Sequence, residues 1–400
     1  MASAGDRRRR VLIIVENLPS PFDRRVWQEA GALRDAGYAV SIICPTGRGY
    51  EKRFEEIDGI HIHRHPLPLE AEGALGYALE YSAALFWEFV LAWRVLFGRG
   101  FDVIHACNPP DLIFLVGGFF KLVLRKKFVF DHHDINPELY EAKFGRRDFF
   151  YKVMLWCERS TFRCADVSIA TNESYRRIAI ERGGMAPDRV HVVRSGPVLD
   201  RLRSVAPVPA LKCGRKYLVG YVGVMGRQEG IDLLLQAVAH IVHGLKRDDI
   251  HVGLVGGGTS LAELKALAVE LKVDRHVTFT GRVPDQQLLE MLSTADVCVN
   301  PDVANEMNDK STMNKIMEYM ALGKPIVQFD LTEGRFSAQD ASLYAKRNDP
   351  LDLGAKIVEL LEDPQRARRM GESGRKRVLE QLEWRYEVPK LLAAYRMVFA

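Results

Sequence analysis

Apolar segments with strand character alternate with helical segments along most of the 400-residue chain. The first half opens with a strand at Val11 to Val15, a helix from Asp23 to Ala36 that Gly37 ends, and a strand at Ala39 to Cys44. A strand, a helix and a further strand form a βαβ unit, in which the two strands are parallel. Strands covered by helices on both faces have continuous apolar runs, as these segments do. The alternation therefore predicts an α/β protein built on parallel sheets.

The alternation is broken between Ser195 and Arg215, a segment with three prolines and no apolar period. Such composition is typical of a linker between domains, and strands and helices alternate again from Tyr217 onward. The chain is long enough for two separate cores. We therefore predict two doubly wound domains, residues 1–198 and 199–382, and a final helical segment at 383–400.

Composition excludes a disordered or disulfide-stapled protein. Hydrophobic residues at 47% and charged residues at 27% are ordinary for a globular chain, and the formal charge of +4 is small. The basic residues form short clusters that suit either solvated surface or anionic lipid and phosphate, and we expect no nucleic-acid partner. The cysteines lack metal-ligand spacing and indicate reduced thiols: Cys44, Cys107, Cys157, Cys164, Cys213 and Cys298. The apolar run between Arg10 and Glu16 is only five residues long, so we expect no signal peptide and a cytoplasmic protein.

The segment Ala74 to Phe97 is the most membrane-like in the sequence. Glu80, Glu88 and Arg94 interrupt it, so a membrane-spanning helix is not expected. A long amphipathic helix remains, and two roles for it stay open. It can pack in the core, or it can lie against the inner leaflet of a membrane through its aromatic side chains.

A second informative stretch runs from Asn308 to Val327 and reads NDKSTMNKIMEYMALGKPIV. Its first two residues are turn formers, Ser311 or Thr312 can cap a helix, and Gly323 is placed as a helix stop. The sequence therefore predicts a loop, a helix and a strand.

The start of this helix is suited to bind a nucleotide. Unpaired N–H groups and the helix dipole can hold a pyrophosphate against Lys310 to Thr312. About one turn further, the carboxylate of Glu318 can accept hydrogen bonds from two ribose hydroxyls. The alternative is a surface helix with one solvated glutamate.

With the ALGKPIV that follows, this stretch is similar to the signature of family-4 retaining glycosyltransferases, in which two glutamates lie eight positions apart. Glu318 matches the second glutamate, which holds the donor ribose in that family. Lys310 occupies the place of the first, beside Asp309. The resemblance covers nearly the whole chain and implies the GT-B architecture, in which two Rossmann-like domains face one another across a cleft. The last helix often crosses back to the first domain.

The resemblance assigns donor-binding residues to loops of the second half. In the family, the loop after the first strand of this domain carries an arginine and a lysine for the diphosphate, where this chain has Val224 and Glu229. We hypothesise that Arg227 and Lys310 replace them. The donor-binding candidates are Gly223, Arg227, Gly257, Arg282, Val283, Asp309, Ser311, Thr312 and Glu318.

In the first half, His133 follows a strand at Phe128 to His132, so it should project from the carboxyl edge of the sheet. The family carries a histidine at this place, near the donor sugar. Asp134 could orient the ring or approach the acceptor, and Lys310 completes the catalytic candidates. The alternative is a pair of polar loop residues. The acceptor-binding candidates are Asp23, Arg24, Arg25, Asn108 and Glu138.

The resemblance implies transfer of a sugar, with retention, from a nucleotide-sugar to a hydroxyl group. We expect a UDP-sugar donor, a lipid-linked glycan acceptor of a bacterial envelope polysaccharide, and no cofactor or metal requirement. Peripheral contact with the inner membrane would fit such an acceptor. Two alternatives are a nucleotide-sugar epimerase and a glycosyltransferase-like partner subunit without catalysis. The substitutions at the diphosphate loop motivate the second.

Overall fold

A computed structural model of the chain describes residues 8–66 and 73–400, with only the backbone of 73–80. The chain forms two compact units. The first domain comprises Met1–Ser195 with Glu387–Ala400, and the second comprises Gly196–Tyr386. The sequence-based divisions at 198/199 and 382/383 lie a few residues from these boundaries.

The first domain contains an eight-stranded sheet in the order β3-β4-β2-β1-β5-β6-β7-β8. All neighbouring strands are parallel except β3 and β4. The strands are β1 (Arg10–Ile14), β2 (Ala39–Pro45), β3 (Phe54–Ile57), β4 (Ile60–His65), β5 (Val103–Cys107), β6 (Lys127–His132), β7 (Val167–Ala170) and β8 (Val190–Val192). Its first helices are α1 (Arg24–Asp35), α2 (Gly73–Gly98), α3 (Phe114–Leu124), α4 (Asn136–Phe144), α5 (Phe149–Cys164) and α6 (Glu173–Arg177).

The second domain contains a parallel six-stranded sheet in the order β11-β10-β9-β12-β13-β14. Its strands are β9 (Tyr217–Val222), β10 (Ile250–Val255), β11 (Val277–Gly281), β12 (Val297–Asn300), β13 (Ile326–Phe329) and β14 (Ser342–Ala345). Its helices are α7 (Ile231–Ala239), α8 (Leu261–Glu270), α9 (Asp285–Thr294), α10 (Glu306–Lys310), α11 (Asn314–Ala321), α12 (Thr332–Ala338), α13 (Pro350–Glu362) and α14 (Pro364–Arg377). These two parallel-sheet domains confirm the predicted fold class.

Strand periodicity sorts the buried side chains into two layers in the second domain. In β9, Leu218 packs with residues of α9 and α11, whereas Val219 and Tyr221 pack with residues of α7 and α13. Successive side chains of a strand point to opposite faces, so one apolar strand serves two cores. The sheet is therefore covered on both sides.

The last helix, α15 (Val388–Val398), belongs to the first domain. It packs against β6, β7, β8 and α1. Leu391, Ala394 and Tyr395 are fully buried there. Its buried face explains why the chain returns to the first sheet after completing the second domain.

Two local expectations need correction. The segment predicted as a linker is packed on the second domain, where Leu202 is buried and the N–H groups of Val205 and Val208 donate to side chains at the end of α9. The predicted turn at residues 308 and 309 lies within α10, which Asn305 caps. The following helix begins at 314 without a side-chain cap, so neither Ser311 nor Thr312 caps it.

Candidate functional site

At the carboxyl end of β6, successive side chains point to two opposite faces of the sheet. Asp131 and His133 point toward α1, whereas His132 between them approaches the buried Glu158 of α5 at 3.5 Å. This split follows from strand alternation. Nε2 of His133 lies 2.6 Å from Oδ2 of Asp131. Nε of Arg25 also lies 2.9 Å from this Nε2. With the proton on Nε2, the ring donates to Asp131 and leaves Nδ1 as an acceptor, whereas with the proton on Nδ1, Nε2 accepts from Arg25.

Asp131 is the centre of a buried ionic cluster. Its carboxylate lies 2.9 Å from Nη2 of Arg25, which also contacts Oε1 of Glu29 at 3.0 Å. Burial alone would raise the pKa of Asp131, but Arg25 and His133 hold it well below its usual range. Burial raises the pKa of Glu29 well above its usual range, against the opposing effect of Arg25. The cluster therefore fixes one carboxylate as the charged partner of both the arginine and the histidine.

Arg25 has its donors directed at the protein. Besides the two carboxylates, its guanidinium donates to the carbonyl oxygen of Val193 at 2.9 Å and to Oγ of Ser195 at 3.2 Å. Only 9% of its side chain is exposed. This geometry favours a positioning role for Arg25 over the predicted contact with the acceptor.

Among the residues that the structure describes, two overlapping groups of side chains come close enough to hold a metal ion, and Asp131 belongs to both. One adds His105 and Cys107, and the other adds Glu29 and His133. In this structure the guanidinium of Arg25 already bonds to Asp131 and Glu29. A cation is thus supplied by the chain itself.

The loop after β6 is held by Asn108. The Oδ1 atom of Asn108 accepts from the N–H groups of His133 at 2.7 Å and Asp134 at 3.1 Å. Its Nδ2 donates to Asp111 and to the carbonyl oxygen of Asp134. Asn108 is 2% exposed and saturated by these bonds, so it shapes the loop rather than offering a surface to a glycan.

The other acceptor candidates divide by exposure. Glu138 is buried and bound by Arg182 through both carboxylate oxygens, at 2.6 and 3.2 Å. Asp23 caps α1 by accepting from the N–H of Val26. Arg24 is exposed at the first position of that helix. Glu138 and Asp23 therefore have structural roles, while Arg24 is exposed and His133 and Asp134 are half-buried.

In the second domain, two glycine loops at the carboxyl ends of β9 and β10 lie against each other. The N–H of Gly223 donates to the carbonyl oxygen of Val255, and that of Met225 donates to Gly257. A Cβ added at Gly256 would overlap the carbonyl oxygen of Gly223, and the φ of +135° there also requires glycine. The close contact of the loops leaves backbone rather than side chains at the sheet edge.

Helix α11 adjoins these loops through Lys315, which the sequence reading missed. Its Nζ lies 2.8 Å from Glu229 and 2.7 Å from Asp302, and its side chain is 10% exposed. Burial alone would lower the pKa of Lys315, but Asp302, Tyr221 and Glu229 raise it well above its usual range. Burial raises the pKa of Asp302 to about 7 despite the ammonium. The acidic residue at the family's lysine position is therefore neutralised from the neighbouring helix.

Glu318 lies one turn beyond Lys315 and forms a 2.9 Å ion pair with Arg201. The same guanidinium contacts Asp285, the first residue of α9, at 3.0 Å. Arg282 and Val283 lie just before this helix, with Arg282 exposed and Val283 packed against the core. Arg201 thus pairs both with Glu318, the candidate ribose-binding residue, and with the first residue of the helix that follows the loop predicted to contact the base.

The remaining donor candidates are surface residues with local partners. Asp309 accepts from the N–H and hydroxyl of Thr332 and pairs with Arg347 at 2.8 Å. Lys310 pairs with Glu306 at 2.6 Å. The hydroxyl of Ser311 donates to Met307, and Thr312 is half-buried. The contacts of Asp309 favour a structural role for that residue.

Arg227 is the other cation proposed for the diphosphate. Its side chain is 85% exposed and lies 3.7 Å from Glu263. Lys315, near the glycine loops, is far better buried. Arg227 therefore lacks the fixed position that Lys315 has.

Three site residues were not predicted from the sequence, and the sequence indicates them to different degrees. Asp131 shares a strand face with His133, two positions away, so alternation could have revealed it. Lys315 lies in the first turn of a helix, where a cation opposes the dipole, and that penalty is a signal of another function. Arg201 lies in a segment with linker composition, which gave no signal.

No helix within the described parts of the chain combines the length and apolarity required to cross a bilayer. This includes α2 as far as its described residues extend.

Comparison with known proteins identifies the two halves separately. The family described as Glycosyltransferase Family 4 matches residues 23–201, and the family described as Glycosyl transferases group 1 matches residues 216–363. An alpha-maltose-1-phosphate synthase from Mycolicibacterium smegmatis is 29% identical over 315 residues, covering 72% of this chain and 77% of the relative. A D-inositol 3-phosphate glycosyltransferase from Thermomonospora curvata is 30% identical over 250 residues, covering 58% and 57%.

Solved structures show the same fold over nearly the full length. Sucrose-phosphate synthase from Thermosynechococcus elongatus superposes with a TM-score of 0.79 at 21% identity, covering 98% of this chain and 99% of that one. Anabaena HepE in complex with UDP-glucose superposes with a TM-score of 0.73 at 15% identity, covering 97% and 99%. The solved structures show the GT-B fold, and the family matches in both halves identify the chain as a glycosyltransferase of the group 1 and family 4 type.

Proposed function

We propose that this glycosyltransferase moves a sugar from a UDP-sugar to a hydroxyl group, with retention at the anomeric carbon and without a required metal. The observation that carries the proposal is the arrangement at the carboxyl edge of the second sheet. There, two glycine loops contact each other, the uncapped start of α11 adjoins them through Lys315, and Glu318 follows one turn later. Backbone N–H groups and a helix N-terminus suit a diphosphate, and the carboxylate suits a ribose.

Solved relatives support the choice of uridine. HepE from Anabaena, which shares the fold, has been solved in complex with UDP, with UDP and glucose, and with UDP-glucose. In the proposed reaction the diphosphate leaves from the face that the acceptor hydroxyl approaches, and its oxygen takes the proton of that hydroxyl. The enzyme then contributes orientation and charge stabilisation.

In the first domain, His133 is the proposed catalytic residue. Asp131 and Asn108 hold its ring and its backbone, so Nδ1 has a fixed direction for a sugar hydroxyl. Asp134 follows on the same loop, and burial raises its pKa. A rigid histidine that accepts or donates one hydrogen bond suits the polar groups of a sugar near the reacting carbon.

For the acceptor we propose a lipid-linked glycan, reached at a membrane surface. Helices α2, α3 and α5 pack side by side, with Phe119 of α3 on Phe89 of α2 at 5.0 Å and Phe114 of α3 on Trp156 of α5 at 5.7 Å. The exposed apolar side chains of these helices, here called the apolar face, are Phe86, Val90, Phe97, Leu115, Leu122, Val123, Phe149, Phe150, Val153 and Trp156.

Charge at the apolar face matches an anionic lipid surface. The acidic side chains that the structure describes in these three helices, Glu88 and Glu158, are fully buried. Exposed basic residues lie within these helices or near their ends in the sequence: Arg94, Arg99, Arg125, Lys127, Arg146, Arg147, Lys152, Arg159 and Arg163. Aromatic and aliphatic residues flanked by cations are typical of interfacial membrane binding. Contact with the cytoplasmic face of the inner membrane would bring the enzyme to a lipid-linked acceptor.

The names of two relatives favour a second acceptor class. One is an alpha-maltose-1-phosphate synthase and another a D-inositol 3-phosphate glycosyltransferase. Both names contain a phosphorylated small molecule. A sugar phosphate is therefore the alternative acceptor for this chain.

Calorimetric titration with UDP, GDP, ADP and TDP, with EDTA and then with Mg²⁺, tests the donor class. We expect UDP to bind most tightly and to bind equally well in EDTA. Glu318→Gln should raise the Kd for UDP, whereas the matched control Glu263→Gln, with a 67% exposed side chain, should not. An unchanged Kd in Glu318→Gln would contradict the proposal that Glu318 binds the ribose. Binding of UDP only with Mg²⁺ would contradict metal independence.

Vesicle sedimentation tests the membrane contact. The protein should sediment with vesicles of phosphatidylglycerol and phosphatidylcholine and stay in solution with phosphatidylcholine alone. Leu122→Glu, at a side chain that is 82% exposed, should weaken this binding, and Val269→Glu on α8, at 63%, should not. Equal binding of both variants would exclude the apolar face, and transfer to free sugar phosphates without vesicle binding would favour the alternative acceptor.

A further inference from the structure

Arg201 lies in a segment that has the composition of a linker but a fixed place on the second domain. Leu202 is 5% exposed in the core formed with Ile316 and Met317 of α11. Further along, the N–H of Val205 donates to Oγ of Ser293 at 3.1 Å. The backbone around Arg201 is thus anchored both to α11 and to α9.

The guanidinium of Arg201 joins two elements of the proposed donor site. Its Nη2 lies 2.9 Å from Oε1 of Glu318, and its Nη1 lies 3.0 Å from Oδ2 of Asp285. The side chains of Arg201, Asp285 and Glu318 are 30%, 56% and 16% exposed. The guanidinium of Arg201 therefore links Glu318 on α11, whose carboxylate is proposed to bind the ribose, to the start of α9.

This contact leaves Glu318 able to bind a ribose. An ionised carboxylate has about four acceptor positions, so one carboxylate can bind a guanidinium and ribose hydroxyls together. The guanidinium restricts the rotamers of Glu318, so less orientation entropy is lost when a hydroxyl pair binds. The planar guanidinium is held at the start of α9, the helix that follows Arg282 and Val283 in the chain, and such a group can stack on a nucleobase.

We propose that Arg201 is a positioning and specificity residue of the donor site, which holds Glu318 for the ribose hydroxyls and closes the base end of the site. The ligand class is a nucleoside diphosphate with an intact ribose. This inference rests on the proposed function, since it takes Glu318 as the ribose partner. A purely structural Arg201 would stabilise the domain without making nucleotide binding depend on the ribose hydroxyls.

Calorimetric titration of the full chain with UDP and with its 2′,3′-dideoxy analogue tests the proposal. In Arg201→Ala, we expect the Kd for UDP to rise about tenfold, the loss of one charge-assisted contact. The Kd for the dideoxy analogue should change much less, because that ligand has no hydroxyls for Glu318. Arg201→Lys should restore part of the affinity, and the matched control Arg203→Ala, two residues along and exposed, should bind as the wild type does.

The double variant Arg201→Ala/Glu318→Gln completes a thermodynamic cycle. If Arg201 acts through Glu318, the double variant should bind UDP little worse than Glu318→Gln alone. Equal weakening of UDP and the dideoxy analogue in Arg201→Ala, or full additivity in the cycle, would overturn the positioning role. Wild-type UDP affinity in Arg201→Ala beside weak binding in Glu318→Gln would overturn it while the proposed function stands. Absence of UDP binding by the wild type would overturn both.

Discussion

The two domains place polar groups at the carboxyl edges of their sheets in different ways. In the first, side chains neutralise one another in the interior: Asp131 and Glu29 are fully buried around Arg25, and only the ring of His133 reaches the surface. In the second, glycine backbone forms part of the edge, and Glu318 and Asp285 stay partly exposed beside the buried pair of Lys315 and Asp302. The fixed histidine of the first domain and the glycine loops of the second should therefore respond differently to substitution.

The largest effect is expected at Asp131 in the buried cluster. Asp131→Asn removes the charge that Arg25 and His133 share, and breaking a buried ion pair costs about 3–5 kcal/mol. Urea denaturation should show that loss, and transferase activity should fall with it. Asp102→Asn, in the half-exposed pair with Arg10, is the matched control and should cost less than about 1 kcal/mol. Equal losses in the two variants would contradict the central role of the first-domain cluster.

Lys315 tests whether the second domain also depends on one buried charge. Lys315→Met leaves Glu229 and Asp302 without their shared cation, and we expect a loss of about 3 kcal/mol in the free energy of unfolding. Adding Glu229→Gln to this variant should recover part of the loss, because the repulsion between the two carboxylates is removed. A double variant no more stable than Lys315→Met would show that Glu229 is not coupled to the lysine.

Substitution of two adjacent glycines tests the role of the glycine loops. Gly256→Ala places a Cβ against the carbonyl oxygen of Gly223 at a φ of +135°, so we expect about 2 kcal/mol of destabilisation and weakened UDP binding. Gly257→Ala is the control, since its Cβ would lie 3.8 Å from Cγ of Arg282 in ordinary contact. Thermal unfolding and UDP titration measure both. Unimpaired UDP binding in Gly256→Ala would remove the glycine loops from the donor site.

The contrast also explains what the sequence could predict. The parallel sheets, the helix beginning at Asp23 and the edge position of His133 follow from local periodicity and capping. The partners of Arg25 do not, because Asp131 and Val193 lie more than a hundred positions away and only the tertiary fold brings them together. Glu229 and Lys315 form a similar long-range pair. Comparison with the family motif shows only that a glutamate stands where the family has a lysine, and it does not indicate that Lys315 lies next to it.

A pH titration gives the most selective test of the first domain's buried acids. Burial, with a contribution from Glu16, raises the pKa of Glu88 from 4.5 to about 8. Because the folded state then binds more protons than the unfolded state, this group stabilises the fold fully below about pH 4.5, and the contribution is lost as pH rises through about 8. The free energy of unfolding should therefore fall by up to about 1.4 kcal/mol for each pH unit in that window. Glu88→Gln should remove this slope when urea denaturation is measured at several pH values, whereas Glu372→Gln, at a side chain 63% exposed, should keep it. A slope that persists in Glu88→Gln would assign the titration to other buried acids, such as Asp302 with a pKa of about 7 in the second domain.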